Sequence, residues 1–210
     1  MAYYITGDCH ALFDKLIWLA RFNKKLKKED VIILLGDVGL NYFGVDKDQE
    51  NKKILADFPN YFLCIHGNHE ERPYHIQTYR TQIWHGGEVY YEPEFPNIVF
   101  AKDGEIYDFD GKKAIVIGGA YSQDKEYRLS TGLPWFPDEQ PDDKVKSQVE
   151  NKLNEVDWKI DYVFSHTCPL VYRPSQESVI NFEKIDLSTE EWMDEIAKKL
   201  PMSQVDRPAW

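Results

Sequence analysis

Three apolar runs in the first third of the chain end alike, and this recurrence constrains the fold more than any other feature. Ala2 to Thr6 runs into Gly7-Asp8-Cys9-His10, and Val31 to Leu35 runs into Gly36-Asp37-Val38-Gly39. Tyr61 to Ile65 runs into His66-Gly67-Asn68-His69-Glu70-Glu71-Arg72. Runs this short and apolar read as buried strands. Helical stretches separate them. Ala11 to Lys27 carries Leu12, Leu16, Ile17, Leu19, Ala20 and Leu26 at amphipathic spacing. Its basic end, Lys24, Lys25, Lys27 and Lys28, suits the negative pole of a helix. Lys47 to Phe58 is a second helix, stopped at Pro59. Strand, helix, strand, helix, strand predicts a parallel sheet. Ligands bind at the carboxyl ends of such strands, so Asp8, His10, Asp37, Asn68 and His69 are expected to converge on one edge. Gly67 allows the sharp turn that presents Asn68 and His69.

Beyond Arg72 the periodicity weakens. Tyr74 to Arg80 reads as a short helix and Trp84 to Glu88 as a loop. Ile98 to Ala101, Ile106 to Phe109 and Ala114 to Ile117 read as strands, with Asp110-Gly111 as a hairpin turn. Strands without intervening helices predict an antiparallel meander, a second sheet packed on the first. Ser122 to Leu129 reads as a helical turn, Trp135 to Pro141 as a loop, and Lys144 to Glu155 as a helix. Tyr162 to Phe164 is a last strand, leading into Ser165-His166-Thr167-Cys168-Pro169, and Glu190 to Leu200 is a final helix.

The 210 residues are 42% hydrophobic and 29% charged, an ordinary globular balance that predicts one domain over residues 1–210. No apolar run reaches the roughly 18 residues of a membrane span. The amino end lacks the basic region of a signal peptide, so a cytoplasmic location is expected. Cys9, Cys64 and Cys168 are too few to predict a disulfide framework. The net charge of −11 argues against an extended nucleic-acid surface. It leaves room for one phosphate ester at a metal site, where cations supply the positive field.

Carboxylates and an amide alternating with imidazoles make a mixed ligand set, better suited to Mn, Fe or Zn than to Ca. Asp37 is the natural bridge, because a carboxylate can bind two cations and an imidazole cannot. Two divalent ions about 3.5–4 Å apart suit attack of a metal-bound hydroxide on phosphorus. His69, directly after Asn68, can reach the leaving-group oxygen as general acid without binding metal. Arg72 and Arg128 could clamp a phosphate bidentately. His66 reads as structural, and His75 and His85 as surface residues.

Taken together and in this order, Gly7-Asp8-Cys9-His10, Gly36-Asp37-Val38-Gly39, Gly67-Asn68-His69-Glu70 and Ser165-His166 resemble the calcineurin-like metallophosphoesterase superfamily. Gly118-Gly119-Ala120-Tyr121-Ser122 with Asp124 and Arg128, then Trp135-Phe136-Pro137 and Glu139, resemble a bacterial and phage-type branch of it. The resemblance implies an α/β fold with two β-sheets sandwiched between helices (αββα). It implies Asp8 and His10 on one metal, Asn68 and His166 on the other, Asp37 between them and His69 as acid. The implied activity is hydrolysis of a phosphodiester or phosphomonoester. Superfamily members usually carry a late Gly-His-x-His motif, whereas the last histidine here is His166. Each metal is therefore expected to lack one ligand, with water or Asp206 in its place. The usual carboxyl-terminal strand is expected to be missing, and the chain from about residue 200 to be atypical or truncated. The same absence motivates a second reading, a metal-binding or scaffold protein with weak or no turnover. No Asp-Arg-Gly follows Asp37, which turns the expectation away from a phosphoprotein substrate.

Overall fold

Strand alternation sorts the apolar side chains of this chain into three separate layers. In the computed structural model, which describes residues 1–22, 26–173 and 185–201, strands β1 (Tyr3–Thr6), β2 (Val31–Leu34) and β3 (Tyr61–Cys64) lie side by side and parallel. Ile32, Leu34, Phe62 and Cys64 point to one face, where they pack with Phe13, Leu16 and Leu55. Leu16 belongs to helix α1 (Asp14–Phe22), Phe13 directly precedes it, and Leu55 belongs to helix α2 (Val45–Ala56). Val31, Ile33, Leu63 and Ile65 point to the opposite face and meet Tyr107, Ala114, Val116 and Phe164 of a second sheet. The period of two along each strand puts alternate residues into different cores.

The first sheet has six strands in the order β1-β2-β3-β6-β5-β4, and the second has three in the order β7-β8-β9. Strand β6 (Ile98–Ala101) runs parallel to β3, and β5 (Gly87–Tyr91) and β4 (Arg80–Trp84) continue antiparallel to the edge. In the second sheet β7 (Ile106–Phe109) and β8 (Lys112–Ile117) form a hairpin, and β9 (Tyr162–Ser165) adds parallel to β8. On its outer face Ile115 and Ile117 pack with Val149, Leu153, Met193 and Ile196. These come from α4 (Asp143–Glu155) and α5 (Ser188–Lys199). The result is helices, sheet, sheet, helices, the arrangement that the resemblance implies. Among the described residues no strand follows β9, and no helix is long and apolar enough to cross a membrane.

Several sequence expectations give way. The stretch from Tyr74 to Arg80 is not a helix: a single 3-10 turn at Pro73–His75 precedes β4. β4 is an edge strand with no fully buried residue, so it lacks the apolar signature of its neighbours. The expected loop at Trp84 to Glu88 is a two-residue hairpin, with His85 and Gly86 both at positive φ as a twisted hairpin turn requires. The Ile98–Ala101 strand belongs to the first sheet rather than to a meander in the second. Helix α1 starts three residues later than its apolar spacing suggests, because His10 and Ala11 adopt left-handed backbone angles. Lys24 and Lys25 of its basic end, and the tail from residue 202 with Asp206, lie outside the described residues.

One buried ion pair locks α2 to the first sheet. Lys52 and Glu92, each 4% exposed, meet at 2.5 Å, and Thr78 donates to the same carboxylate. Replacing Lys52 with Met leaves Glu92 buried without its cation. That change is expected to lower unfolding free energy by about 3–5 kcal/mol in urea denaturation. A loss below about 1 kcal/mol would show that Glu92 needs no positive partner.

Candidate metal centre

The strands stop level with one another, so their loops start level too: Thr6, Leu34 and Cys64 are register partners across β1, β2 and β3. Backbone hydrogen bonds then tie loop to loop. The Asp37 carbonyl accepts the N–H groups of Cys9 and His10 at 3.1 and 2.7 Å. Glu70, fully buried, accepts the N–H of Gly39 at 3.0 Å with one carboxylate oxygen and that of Gly67 at 3.1 Å with the other. Two glycines make room. A Cβ on Gly67 would overlap the Asp37 carboxylate, and one on Gly36 would overlap the His166 ring. His10 and Asp37 sit at φ 44° and 46°, a region that L side chains rarely occupy and that functional sites often hold under strain.

Asp37 is the centre of what these loops present. Its Oδ2 lies 3.7 Å from His10 Nε2 and 3.4 Å from His69 Nδ1, while its Oδ1 lies 3.8 Å from His166 Nε2. These separations are too long for hydrogen bonds. They suit donors that share an ion, since metal bonds of about 2.0–2.2 Å put two ligands about 3–4 Å apart. His10, Asp37 and His69 each offer one donor atom within 4.8 Å of the others. Among the described residues no lysine or arginine comes within ion-pair distance of Asp37.

His166 gives a second test of the donor set. Its Nδ1–H donates to the Leu35 carbonyl at 2.8 Å, which leaves the lone pair of a neutral ring on Nε2. That nitrogen faces Asn68 Oδ1 at 2.8 Å, while the Asn68 amide donates to Ser122 Oγ at 2.8 Å. Two acceptors that face each other so closely call for a positive charge between them. A ligating histidine whose other nitrogen bonds a backbone carbonyl is the usual arrangement in metal sites. The residues present fit a divalent cation at Asp37. Asp8 stays at the rim, its side chain 65% exposed and its Oδ1 3.9 Å from His166 Nδ1.

His69 stands between this centre and a polar cage. Its backbone N–H donates to Asp37 Oδ1 at 2.9 Å, and Arg128 Nη2 donates to its Nδ1 at 3.1 Å. Its Nε2 lies 3.3 Å from Asp124 Oδ1. Burial holds the imidazole below its usual range, and Arg128 adds to that against the upward pull of Asp37 and Asp124. Burial, joined by the Asp37 charge, pushes the Glu70 carboxyl up to about 8; cations at Asp37 would remove the second cause. Arg72 is turned elsewhere. Its guanidinium pairs with buried Asp103 and donates to the Asp138 carbonyl. His66 is buried, donating from Nε2 to the Glu70 carbonyl at 2.8 Å. His75 reaches Asp138 at the surface.

Sequence reading passed over several contributors. Tyr42 and Asp48 carry no motif signal, although Asp48 accepts the backbone N–H groups of Tyr42, Phe43 and Gly44. Ser122, Asp124 and Glu139 fall within the quoted motif, yet spacing alone assigns them no partner. The structure joins them: Glu139 accepts from the Ser122 N–H and from Trp135 Nε1, which steadies the residue that holds Asn68.

A family model described as calcineurin-like phosphoesterase matches residues 1–192, a span that includes every side chain of this centre. No curated protein matches the chain.

The Glu70 bridge makes a direct prediction. Glu70→Gln keeps the shape but supplies one acceptor oxygen where two N–H groups need one each. The variant is expected to lose about 1–3 kcal/mol of stability, read from its urea midpoint. An unchanged midpoint would show that the bridge does not hold the loops.

Proposed function

The chain belongs to the calcineurin-like phosphoesterase family, and from that premise we propose that it hydrolyses phosphodiesters or phosphomonoesters at a dinuclear centre around Asp37. The observation that carries this reading is the division of Asp37 itself. One oxygen faces His10 and His69, the other faces His166, so a single carboxylate can serve two cations. Asp8 and His10 would complete one position, and Asn68 and His166 the other. Two divalent ions there, Mn, Fe or Zn, would polarise a phosphoryl oxygen and make water acidic near neutral pH.

The remaining work falls to the chain's own side chains. Asn68 and His166 approach from loops of different sheets and would hold the second cation between them. His69 gives its Nε2 proton to the oxygen that leaves phosphorus, while water supplies the oxygen that replaces it. His69 serves this role best for poor leaving groups, since a good one departs without a proton. The acidic surface implied by a net charge of −11 favours a compact phosphate ester over a long polyanion.

Two measurements test the reading. With added Mn, bis-p-nitrophenyl phosphate or p-nitrophenyl phosphate is expected to be hydrolysed, and Asp37→Asn to abolish both turnover and stoichiometric Mn binding. Mn bound by the wild type without hydrolysis of either ester would replace the enzyme with a metal-binding scaffold. His69→Ala is expected to keep its metal and to lose about 10²–10⁴-fold in rate on alkyl esters, with a smaller loss on p-nitrophenyl esters. Loss of metal in that variant would make His69 a ligand instead.

A further inference from the structure

His69 raises a question that its distances sharpen. Its Nδ1 lies 3.4 Å from the same Asp37 oxygen that faces His10, and the residue belongs with His10 and Asp37 to a group whose donor atoms lie within 4.8 Å of one another. A free imidazole lone pair in that position would coordinate a cation. We propose that Arg128 is the positioning residue that prevents this: its guanidinium occupies the Nδ1 lone pair and so keeps His69 as proton donor rather than ligand. The inference rests on the phosphoesterase reading above.

The guanidinium is held by protein groups on every side. Nε donates to Asp124 Oδ2 at 2.8 Å, and Nη1 donates to Tyr42 Oη at 2.8 Å and to the Pro134 carbonyl at 3.2 Å. Nη2 donates to His69 Nδ1 at 3.1 Å. Four of its five N–H groups are thus engaged. Such a side chain cannot present a free fork to a phosphate without breaking these bonds, which turns it from the clamp expected of it. Arginine also cannot become an acceptor. A nitrogen that accepts from it must carry the lone pair, so the proton of neutral His69 sits on Nε2. That atom and Asp124 Oδ1 lie 3.3 Å apart, both buried and both without a hydrogen-bond partner. Asp124 Oδ1 is therefore the group that faces this proton.

The geometry also explains why the arginine sits on this element. α3 (Lys125–Thr131) follows Asp124 directly, so Asp124 and Arg128 lie one turn apart and fix each other by an i, i+4 ion pair. Tyr42 anchors the outer edge from the loop after β2. Three segments therefore aim one guanidinium at one ring nitrogen. Simple surface solvation would need none of them.

The test is Arg128→Met, alone and combined with His69→Ala, with Mn affinity measured by calorimetric titration and kinetics by ester series. Freed of its cap, Nδ1 is expected to join the metal, so Arg128→Met binds Mn about tenfold more tightly, equivalent to about 1.4 kcal/mol. The gain is expected to vanish in the double variant. On alkyl esters kcat falls while KM for p-nitrophenyl phosphate stays within about twofold. Unchanged Mn affinity together with a raised KM and an intact kcat would overturn the proposal and make Arg128 a substrate clamp. Asp124→Asn, which loosens the guanidinium without removing it, must shift Mn affinity the same way by a smaller factor. If it does not, the proposal fails even where Arg128→Met does not fold. If no ester is hydrolysed by the wild type, the phosphoesterase reading fails. The Mn comparison still decides the role of Arg128.

Discussion

Glu70 joins two loops through a carboxylate that water does not reach, and the centre depends on it. Its oxygens take the N–H groups of Gly39 and Gly67, its own carbonyl takes His66, and the next residue, Glu71, donates to the Asn41 carbonyl. The loops after β2 and β3 are thereby stitched together with Asp37 between them. The loop after β1 is bound in turn to the Asp37 carbonyl. Left-handed backbone angles such as those at His10 and Asp37 cost roughly 1–3 kcal/mol each. They persist because hydrogen bonds from neighbouring loops leave the chain no other course.

The electrostatics of the centre follow from what surrounds Asp37. Its carboxylate is buried among imidazoles and backbone, with the arginines directed elsewhere. Arg72 is consumed by Asp103 and Asp138, and Arg128 by Asp124, Tyr42, Pro134 and His69. A buried acid without a paired cation is costly, and lone pairs that face each other at His166 and Asn68 add to that cost. Divalent ions relieve both at once. The same ions supply the positive field that a phosphate ester needs, which is how a chain with a net charge of −11 can still attract an anion.

Much of this was legible from residue order, for a physical reason. Gly7-Asp8, Gly36-Asp37 and Gly67-Asn68 follow strands that pair in register, so sequence repetition became spatial proximity. The Asp110-Gly111 hairpin was equally plain, because both residues take positive φ cheaply. β4 was not legible. An edge strand such as Arg80-Thr81-Gln82-Ile83-Trp84 buries too little to show a pattern, and its turn uses His85-Gly86 where Asn-Gly would have announced it. The sheet membership of Ile98 to Ala101 was hidden too, since an apolar run does not say which neighbour it pairs with. Roles of charged residues were the least readable. Arg72 and Arg128 look alike in the sequence, and only their partners separate one that braces Asp103 from one that caps His69.

The centre is shared between the two sheets, and this sets what can disturb it. Asp8, His10, Asp37, Asn68 and His69 come from loops of the first sheet. His166 follows β9 of the second, and Ser122, Asp124 and Arg128 follow β8. The sheets touch the centre together where His166 donates to Leu35 at 2.8 Å, over a glycine that leaves space for its ring. Their relative position is set further by an apolar layer in which Ile33, Leu63 and Ile65 meet Tyr107, Val116 and Phe164, and by the bonds of Ser122 to Asn68 and of Arg128 to Tyr42 and His69. Close-packed interiors transmit small volume changes rather than absorb them. A change of one methylene in that layer would therefore strain the contacts by which His166 and Arg128 reach Leu35, Tyr42 and His69. The distances that matter are those between 2.8 and 3.8 Å, where shifts of a few tenths of an ångström decide between a ligand, a hydrogen bond and neither. The inter-sheet core is thus part of the chemistry, although none of its side chains reaches the centre.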